Sequence, residues 1–194
     1  DENGQLVPEL ADSYEMSEDG MTYTFTMKDG LKWSDGEALD ANDVLYSWNR
    51  LADENTAADY SYLCSVFATK DDGTLDIEAS EDGKTFTAHL NAPCAYFLDL
   101  CAFPAFYPVP QQAVEAADGA DTNPGAWALE AGFVGSGPFV LTEWKHNEPM
   151  TYEPNPNNWA ADNDSPTKIN FMLSPDDPAS YNTFQDGPPH ITDS

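Results

Sequence analysis

The sequence predicts a mixed α/β fold, because two stretches have the period of β-strands and a third, between them, has the period of an α-helix. In residues 22–27, apolar side chains alternate with threonines directly after an Asp-Gly turn, a pattern typical of a β-hairpin. Residues 77–90 repeat this pattern around a second Ser-Glu-Asp-Gly turn. The material between the two copies is unlike, so we interpret the repeat as shared turn chemistry and not as a repeat architecture.

The helix is predicted to begin at about Ala41. Asp40 precedes it and can accept a hydrogen bond from a free backbone N–H of the first turn. The spacing predicts one apolar stripe that packs on the core, formed by Val44, Leu45, Trp48 and Leu51. The polar positions are predicted to face elsewhere: Asn42, Asp43, Ser47, Asn49 and Arg50. Trp33, in the Trp-Ser-Asp-Gly turn before the helix, is expected to anchor that turn in the core.

Further short elements follow along the chain. Residues 52–76 are predicted to hold a loop and a short helix, and 93–110 is the most apolar stretch. Its spacing predicts one buried helix face made of Tyr96, Phe97, Leu100 and Phe103. Further elements are a helix from Gln111 to Ala117, a short helix from Asn123 to about Ala131, a strand containing Ile169, Phe171 and Leu173, and a short helix from Pro178 to Phe184. We predict a β-rich subdomain with packed helices over 1–132 and a separate α/β segment over 133–194.

The balance of charged residues argues against some classes of binding partner. Thirty-five acidic residues against seven basic ones give a formal charge of −28, so nucleic acid and anionic membrane surfaces would be repelled. With 41% apolar and 12% aromatic residues, the chain can bury a core. No apolar run reaches the roughly 18 residues that a membrane helix needs.

The sequence lacks the common motifs of catalysis, metal binding and nucleotide binding. Three cysteines without a C-x-x-C pair allow at most one disulfide and indicate no zinc site. Asp71, Asp72, Asp76 and Glu78 cluster, but their spacing is not that of a calcium-binding EF-hand loop. H-E-x-x-H and G-x-S-x-G motifs are absent, and Gly137 is followed by Pro where a phosphate-binding loop has Lys. We therefore predict no catalytic residue, no metal and no cofactor.

Four segments together resemble the signature of one protein family. They are Trp33-Ser34-Asp35-Gly36, the helix from Asp40 to Arg50, the stretch from Gly135 to Trp144, and the stretch from Tyr152 to Trp159. The pattern is similar to that of the extracytoplasmic solute-binding proteins that serve oligopeptide and dipeptide ABC transporters. Asp40 stands where the family usually has Thr, and both side chains can cap a helix.

This resemblance implies a two-lobe, periplasmic-binding-protein-like fold of the peptide-binding class, of which this sequence is a piece without the second lobe. Residues 133–194 would then be an incomplete part of the first lobe, and the glycines near 135–137 would allow close backbone approach where the chain crosses between subdomains. The implied function is the capture of di- and oligopeptides for uptake, without catalysis. The implied partners are a peptide or similar small solute and the membrane permease subunits, with no nucleic acid, and the protein is expected to be an extracytoplasmic monomer in the periplasm or a cell-surface lipoprotein.

The resemblance also supplies the candidate ligand-binding residues. Tyr60 falls on a family tyrosine that can line the ligand cleft, although the loop before it lacks the family's prolines. Thr192, Asp193 and Ser194 fall where the family's backbone meets the bound peptide. The preceding Gly187–His190 segment departs from the family pattern because two prolines cannot donate to a sheet. Other solutes, such as nickel, sugars or opines, remain open, and so does a secreted hydrolase that uses paired carboxylates.

Overall fold

The computed structural model describes residues 3–117, 122–145, 149–161 and 166–172. Seven strands lie in this part of the chain: β1 (Ala11–Met16), β2 (Thr22–Met27), β3 (Ile77–Ala79), β4 (Thr85–His89), β5 (Phe139–Trp144), β6 (Met150–Pro154) and β7 (Ile169–Phe171). The α-helices are α1 (Ala41–Ala52), α2 (Phe97–Cys101) and α3 (Gln111–Ala116), and 3₁₀ turns cover Ser61–Val66, Pro104–Phe106 and Ala126–Ala128. Leu173, the predicted helix from Pro178 to Phe184 and the Gly187–His190 segment lie outside the described residues.

Both predicted β-hairpins are confirmed, and they combine into one antiparallel sheet of order β1-β2-β4-β3. The two inner strands come from different hairpins and pair with Thr24 opposite Thr87. In each turn the serine hydroxyl donates to the aspartate two residues on, from Ser17 to Asp19 (2.6 Å) and from Ser80 to Asp82 (2.7 Å). These serine hydrogen bonds, with a backbone N–H in each turn, lower the pKa of both aspartates.

Helix α1 begins at Ala41, as predicted, and its first turn is capped twice. The Asp40 carboxylate accepts from Asn42 N (2.7 Å), and the Asp43 carboxylate accepts from Asp40 N (2.9 Å). Burial raises the pKa of Asp43, against the lowering effect of that backbone hydrogen bond. In addition, Ala41 N donates to Gly83 O (2.9 Å), so the second hairpin turn supplies an acceptor to the helix start.

The two hairpin glycines provide a matched test of this contact. Gly20 and Gly83 have φ of +70° and +69°, so alanine is strained at either position. An added Cβ at Gly20 would lie 3.6 Å from Pro93, an ordinary contact, whereas at Gly83 it would lie 2.7 Å from Cγ of the capping Asp40. We therefore expect Gly83→Ala to lower the free energy of unfolding by about 1–2 kcal/mol more than Gly20→Ala, since only Gly83→Ala also disturbs a helix cap. Urea denaturation of both variants measures the difference, and equal losses would contradict the capping role of the turn.

The core lies between the sheet and α1, and aromatic rings fill it. Trp48 of α1 packs edge-on against Phe86 and Phe106, with ring centroids 4.8 and 5.3 Å away, and its indole N–H donates to Phe106 O (2.9 Å). The predicted stripe is confirmed, because Val44, Trp48 and Leu51 are buried and Leu45 packs against them. Trp33 is only 3% exposed, which confirms the expected core anchor.

Ser47 was predicted to face away from the core, and this is wrong. Ser47 is buried; its hydroxyl donates to Asp43 O (2.6 Å) and accepts from Val109 N (2.7 Å). A small hydroxyl can therefore occupy the core side of the helix because the segment before α3 supplies the partner for it.

Two further expectations about the helices are also wrong. Tyr96 is exposed, because α2 begins only at Phe97, while Phe97 and Leu100 are buried as predicted. The helix expected from Asn123 to Ala131 is a single 3₁₀ turn over Ala126–Ala128. Its N-terminal asparagine does accept from Gly125 N (3.3 Å), but the chain does not continue into an α-helix.

A second sheet of order β5-β6-β7 follows the segment 133–138. Three asparagines after β6 bind backbone carbonyls: Asn155 donates to Gly137 O (2.9 Å), Asn158 to Ser136 O (3.0 Å) and Asn157 to Ser34 O (3.1 Å). Gly135 and Gly137 have room for a Cβ. The close backbone approach expected at these positions would leave no such room, so it does not explain why they are glycines. The two sheets lie on either side of 133–138, and the subdomain boundary at 132/133 stays a prediction.

Candidate functional site

Tyr60 lies in an exposed aromatic cluster with Tyr62 and Phe103. The Tyr60 ring meets Phe103 edge-on at a centroid distance of 5.0 Å and Tyr62 at 6.2 Å. Tyr60 is 46% exposed and Tyr62 is 64% exposed, while Phe103 is partly buried against the core. The rings of Tyr60 and Tyr62 are therefore accessible at the surface, and Phe103 links Tyr60 to the core.

The loop before Tyr60 is shaped by its own backbone and side-chain hydrogen bonds, without the prolines of the family pattern. The Asp53 carboxylate accepts from Asn55 N (2.9 Å), and Ala57 N donates to Glu54 O (3.1 Å). Ala57 has φ of +49°, a left-handed conformation that is uncommon for alanine. Tyr60 then begins the 3₁₀ turn Ser61–Val66, where Leu63 N donates to its carbonyl (3.0 Å).

The other three predicted ligand-binding residues, Thr192, Asp193 and Ser194, lie outside the described residues. The structure brings Tyr60 together with Tyr62 and Phe103. The sequence did not predict either of these two residues as a neighbour of Tyr60. Tyr62 follows Tyr60 in a Tyr-Ser-Tyr pattern that could have indicated a shared surface. No local pattern connects Phe103 with Tyr60, because the two residues are distant in sequence. The spacing of Phe103 instead predicted a place on a buried helix face.

A large open groove of about 1300 Å³ runs along α1, and Tyr60 is not part of its lining. Acidic side chains line it, including Asp53, Asp72 and Glu115. Its one arginine, Arg50, is engaged, because the guanidinium donates to Pro124 O (2.5 Å).

The described part of the chain includes three cysteines and one histidine whose surroundings bear on catalysis and metal binding. Burial raises the pKa of the Cys64 thiol to about 11 and that of Cys101 to about 12, so neither is a thiolate at neutral pH. All three cysteines are free thiols, and His89 shares a hydrogen bond with the Thr22 hydroxyl (3.1 Å). Within the described ranges, His, Cys, Asp and Glu side chains form no group of three suited to a metal ion. None of the described helices has both the length and the apolar character needed to cross a bilayer.

The chain belongs to the bacterial extracellular solute-binding proteins, family 5: the family's sequence profile matches residues 5–192. This membership confirms the resemblance carried by Trp33–Gly36, the helix after Asp40 and the stretches after Gly135 and Tyr152.

Two curated relatives illustrate the range of solutes in this family. The dipeptide-binding protein DppE of Bacillus subtilis is 32% identical over 190 residues, which cover 93% of this chain and 33% of that protein. The probable deoxycholate-binding periplasmic protein YgiS of Escherichia coli is 30% identical over 202 residues, covering 99% of this chain and 36% of that protein. The chain thus spans about a third of the length of these relatives.

Solved structures agree with this assignment. The oligopeptide-binding protein OppA of Haemophilus influenzae, in complex with the peptide RPPGFSPFR, superposes with a TM-score of 0.84 at 28% identity. The match covers 95% of this chain and 36% of that chain. The mixed α/β fold predicted from the sequence is therefore confirmed as part of the peptide-binding class of two-lobe binding proteins.

Proposed function

We propose that this chain is part of the extracytoplasmic solute-binding subunit of an ABC transporter, and that this subunit captures di- or oligopeptides for uptake without catalysis. The observation that carries the proposal is the similarity, over more than nine tenths of the chain, to proteins named for peptide binding. The subunit would act as a monomer in the periplasm or as a lipoprotein at the cell surface, and would deliver its peptide to membrane permease subunits.

The aromatic cluster around Tyr60 supports this proposal physically. Aromatic side chains bind peptide backbones and side chains over a large area and lose little conformational entropy, since they have only two rotatable side-chain bonds. Phe103 holds the Tyr60 ring edge-on at 5.0 Å, so that ring is oriented before a ligand arrives. Thr192, Asp193 and Ser194 remain proposed contacts to the backbone of the peptide.

The test uses a polypeptide of the relatives' length that contains this chain. We expect di-, tri- and oligopeptides to raise its melting temperature, because a ligand at 100 times its Kd stabilises the folded state by about 2.7 kcal/mol. The same peptides should be recovered intact after incubation. Stabilisation by none of them, or release of cleavage products, would contradict the proposal.

Tyr60→Ala in this longer polypeptide should weaken peptide binding by about 1–2 kcal/mol, or roughly 5- to 30-fold in Kd, because an aromatic contact is removed. Its melting temperature without ligand should change by only a few degrees. Tyr14→Ala is the matched control, since Tyr14 is similarly exposed at 49% and also has two aromatic neighbours, at 6.4 and 6.0 Å. Calorimetry should give a parental Kd for Tyr14→Ala, and a parental Kd for Tyr60→Ala would remove Tyr60 from the site.

A second candidate ligand is an amphipathic carboxylate of the bile-acid kind. The similarity to the probable deoxycholate-binding protein favours it, since that match covers 99% of this chain at 30% identity. Including deoxycholate below its micellar concentration in the same thermal-shift experiment separates the two candidates. If deoxycholate stabilises the protein and no peptide does, the proposed ligand becomes the bile acid. The proposed class, a solute-binding subunit, would not change.

A further inference from the structure

In addition to the covalent connection at 133–138, two sets of polar contacts join the two sheets of this chain. One set surrounds Lys28 at the end of β2, and the other surrounds Ser34 in the turn before α1. Each set reaches a residue of the segment 155–161, which follows β6 of the second sheet.

Lys28 is held from both sides. Its ammonium donates to the carbonyls of Pro8, Glu9 and Ala11, the last at 2.9 Å, and lies 4.4 Å from the centroid of the Trp159 ring. The Trp159 indole N–H in turn donates to the Glu9 carboxylate (3.1 Å). A cation enclosed by three carbonyls and a ring has all its donors satisfied, so its position is well determined.

Ser34 forms the second set with three hydrogen bonds. Ser34 N donates to Gly135 O (2.9 Å), and Gly135 N donates to the Ser34 hydroxyl (3.2 Å). The Asn157 side chain donates to Ser34 O (3.1 Å). The backbone N–H, the hydroxyl and the carbonyl of Ser34 thus all form hydrogen bonds with residues at or after position 135.

The connecting segment itself is held by the remaining asparagines. The side chains of Asn155 and Asn158 are buried and donate to Gly137 O and Ser136 O, and Asn155 N donates to Pro138 O (2.8 Å). Breaking one of these bonds would leave a buried polar group without a partner, which is energetically costly. The connection is therefore unsuited to act as a hinge.

We propose that Lys28, Trp159, Ser34 and Asn157 form a two-point latch that makes the sheets β1–β4 and β5–β7 one rigid body. Two separated attachment points prevent rotation about either one, while a single attachment would allow it. If this chain belongs to a receptor that closes on its solute, the closing motion must then take place outside these two sheets. The inference does not depend on the nature of the solute.

The test measures the relative orientation of the sheets in this chain by nuclear magnetic resonance. Residual dipolar couplings of backbone amides in β1–β4 and in β5–β7 should fit one common alignment tensor, as expected for a rigid body. In the double variant Trp159→Ala, Asn157→Asp the contacts of both attachment points with the segment 155–161 are lost, since neither ring nor indole N–H remains at position 159 and a carboxylate faces Ser34 O. We expect the two sheets of that variant to need different tensors, with smaller couplings in β5–β7.

Asn91→Asp is the matched control. The Asn91 side chain also donates to backbone carbonyls, those of Ser65 (2.7 Å) and Phe67 (3.4 Å), but both lie on the first sheet's side of the chain. This variant should lose stability and keep one common tensor. If the double variant does not fold, the single variant Asn157→Asp replaces it. We expect its two sheets to need different tensors as well, with a smaller difference between them. Different tensors in the unmodified chain, or a common tensor in every folded latch variant, would overturn the latch.

Discussion

Trp48→Ala is expected to lower the free energy of unfolding by about 3–5 kcal/mol, the range for removing a large aromatic side chain from a core. Trp48 is only 4% exposed and packs against Phe67, Phe86 and Phe106 with centroid distances of 5.3, 4.8 and 5.3 Å. No other described side chain links α1 to as many of the core rings. Since small domains are stable by about 5–15 kcal/mol, this loss would be a large share of the total.

Trp48→Phe separates the hydrogen bond from the packing. A phenyl ring fills part of the space but cannot donate to Phe106 O, which would leave that buried carbonyl without its indole partner. We expect a loss of about 1–3 kcal/mol, the cost of leaving a buried polar group unsatisfied. Urea denaturation followed by circular dichroism measures both variants, and a loss below about 1 kcal/mol for Trp48→Ala would contradict its central place in the core.

This chain by itself is expected to bind no peptide with a Kd below about 1 mM, a limit that corresponds to roughly −4 kcal/mol. Association costs at least about 4 kcal/mol in lost translational and rotational freedom, and offsetting this cost needs a largely enclosed ligand. The aromatic cluster offers one open surface, with Tyr60 about half exposed. Relatives named for peptide binding are about three times longer than this chain.

The many carboxylates do not change this expectation. An exposed carboxylate and a peptide ammonium attract each other by only about 0–1 kcal/mol at physiological salt. Calorimetric titration of the 194-residue chain with mixed tri- and tetrapeptides should therefore give no saturable signal, while the longer polypeptide binds. A saturable micromolar isotherm for the chain alone would overturn the expectation and would make Tyr60 and residues 192–194 the first positions to mutate.

The hairpins and helix α1 could be predicted because their signals are local. Alternation of apolar residues and threonines determines which strand face is buried, and Asp40 caps the helix that it directly precedes. The signature motifs indicated the family for the same reason, since each lies within a dozen residues. Tyr60 was indicated by resemblance alone, and its exposure agrees with a surface role without testing the contact.

Two of the features that sequence reasoning missed depend on partners far along the chain. Ser47 is buried because Val109 supplies its partner, and Phe103 supports Tyr60 although 43 positions separate them. Tyr96 is exposed because α2 begins one residue later.

The sequence by itself determined the family, the mixed α/β fold, both hairpins, the start of α1 and its buried stripe, since hydrophobic period, turn chemistry and capping act between near neighbours. Only the tertiary structure decided how the hairpins join into one sheet, which side chains surround Tyr60, and how Lys28 and Ser34 attach the second sheet. These depend on hydrogen bonds and ring contacts between residues that come together only after the chain has folded, and no local pattern specifies which partner each group will find.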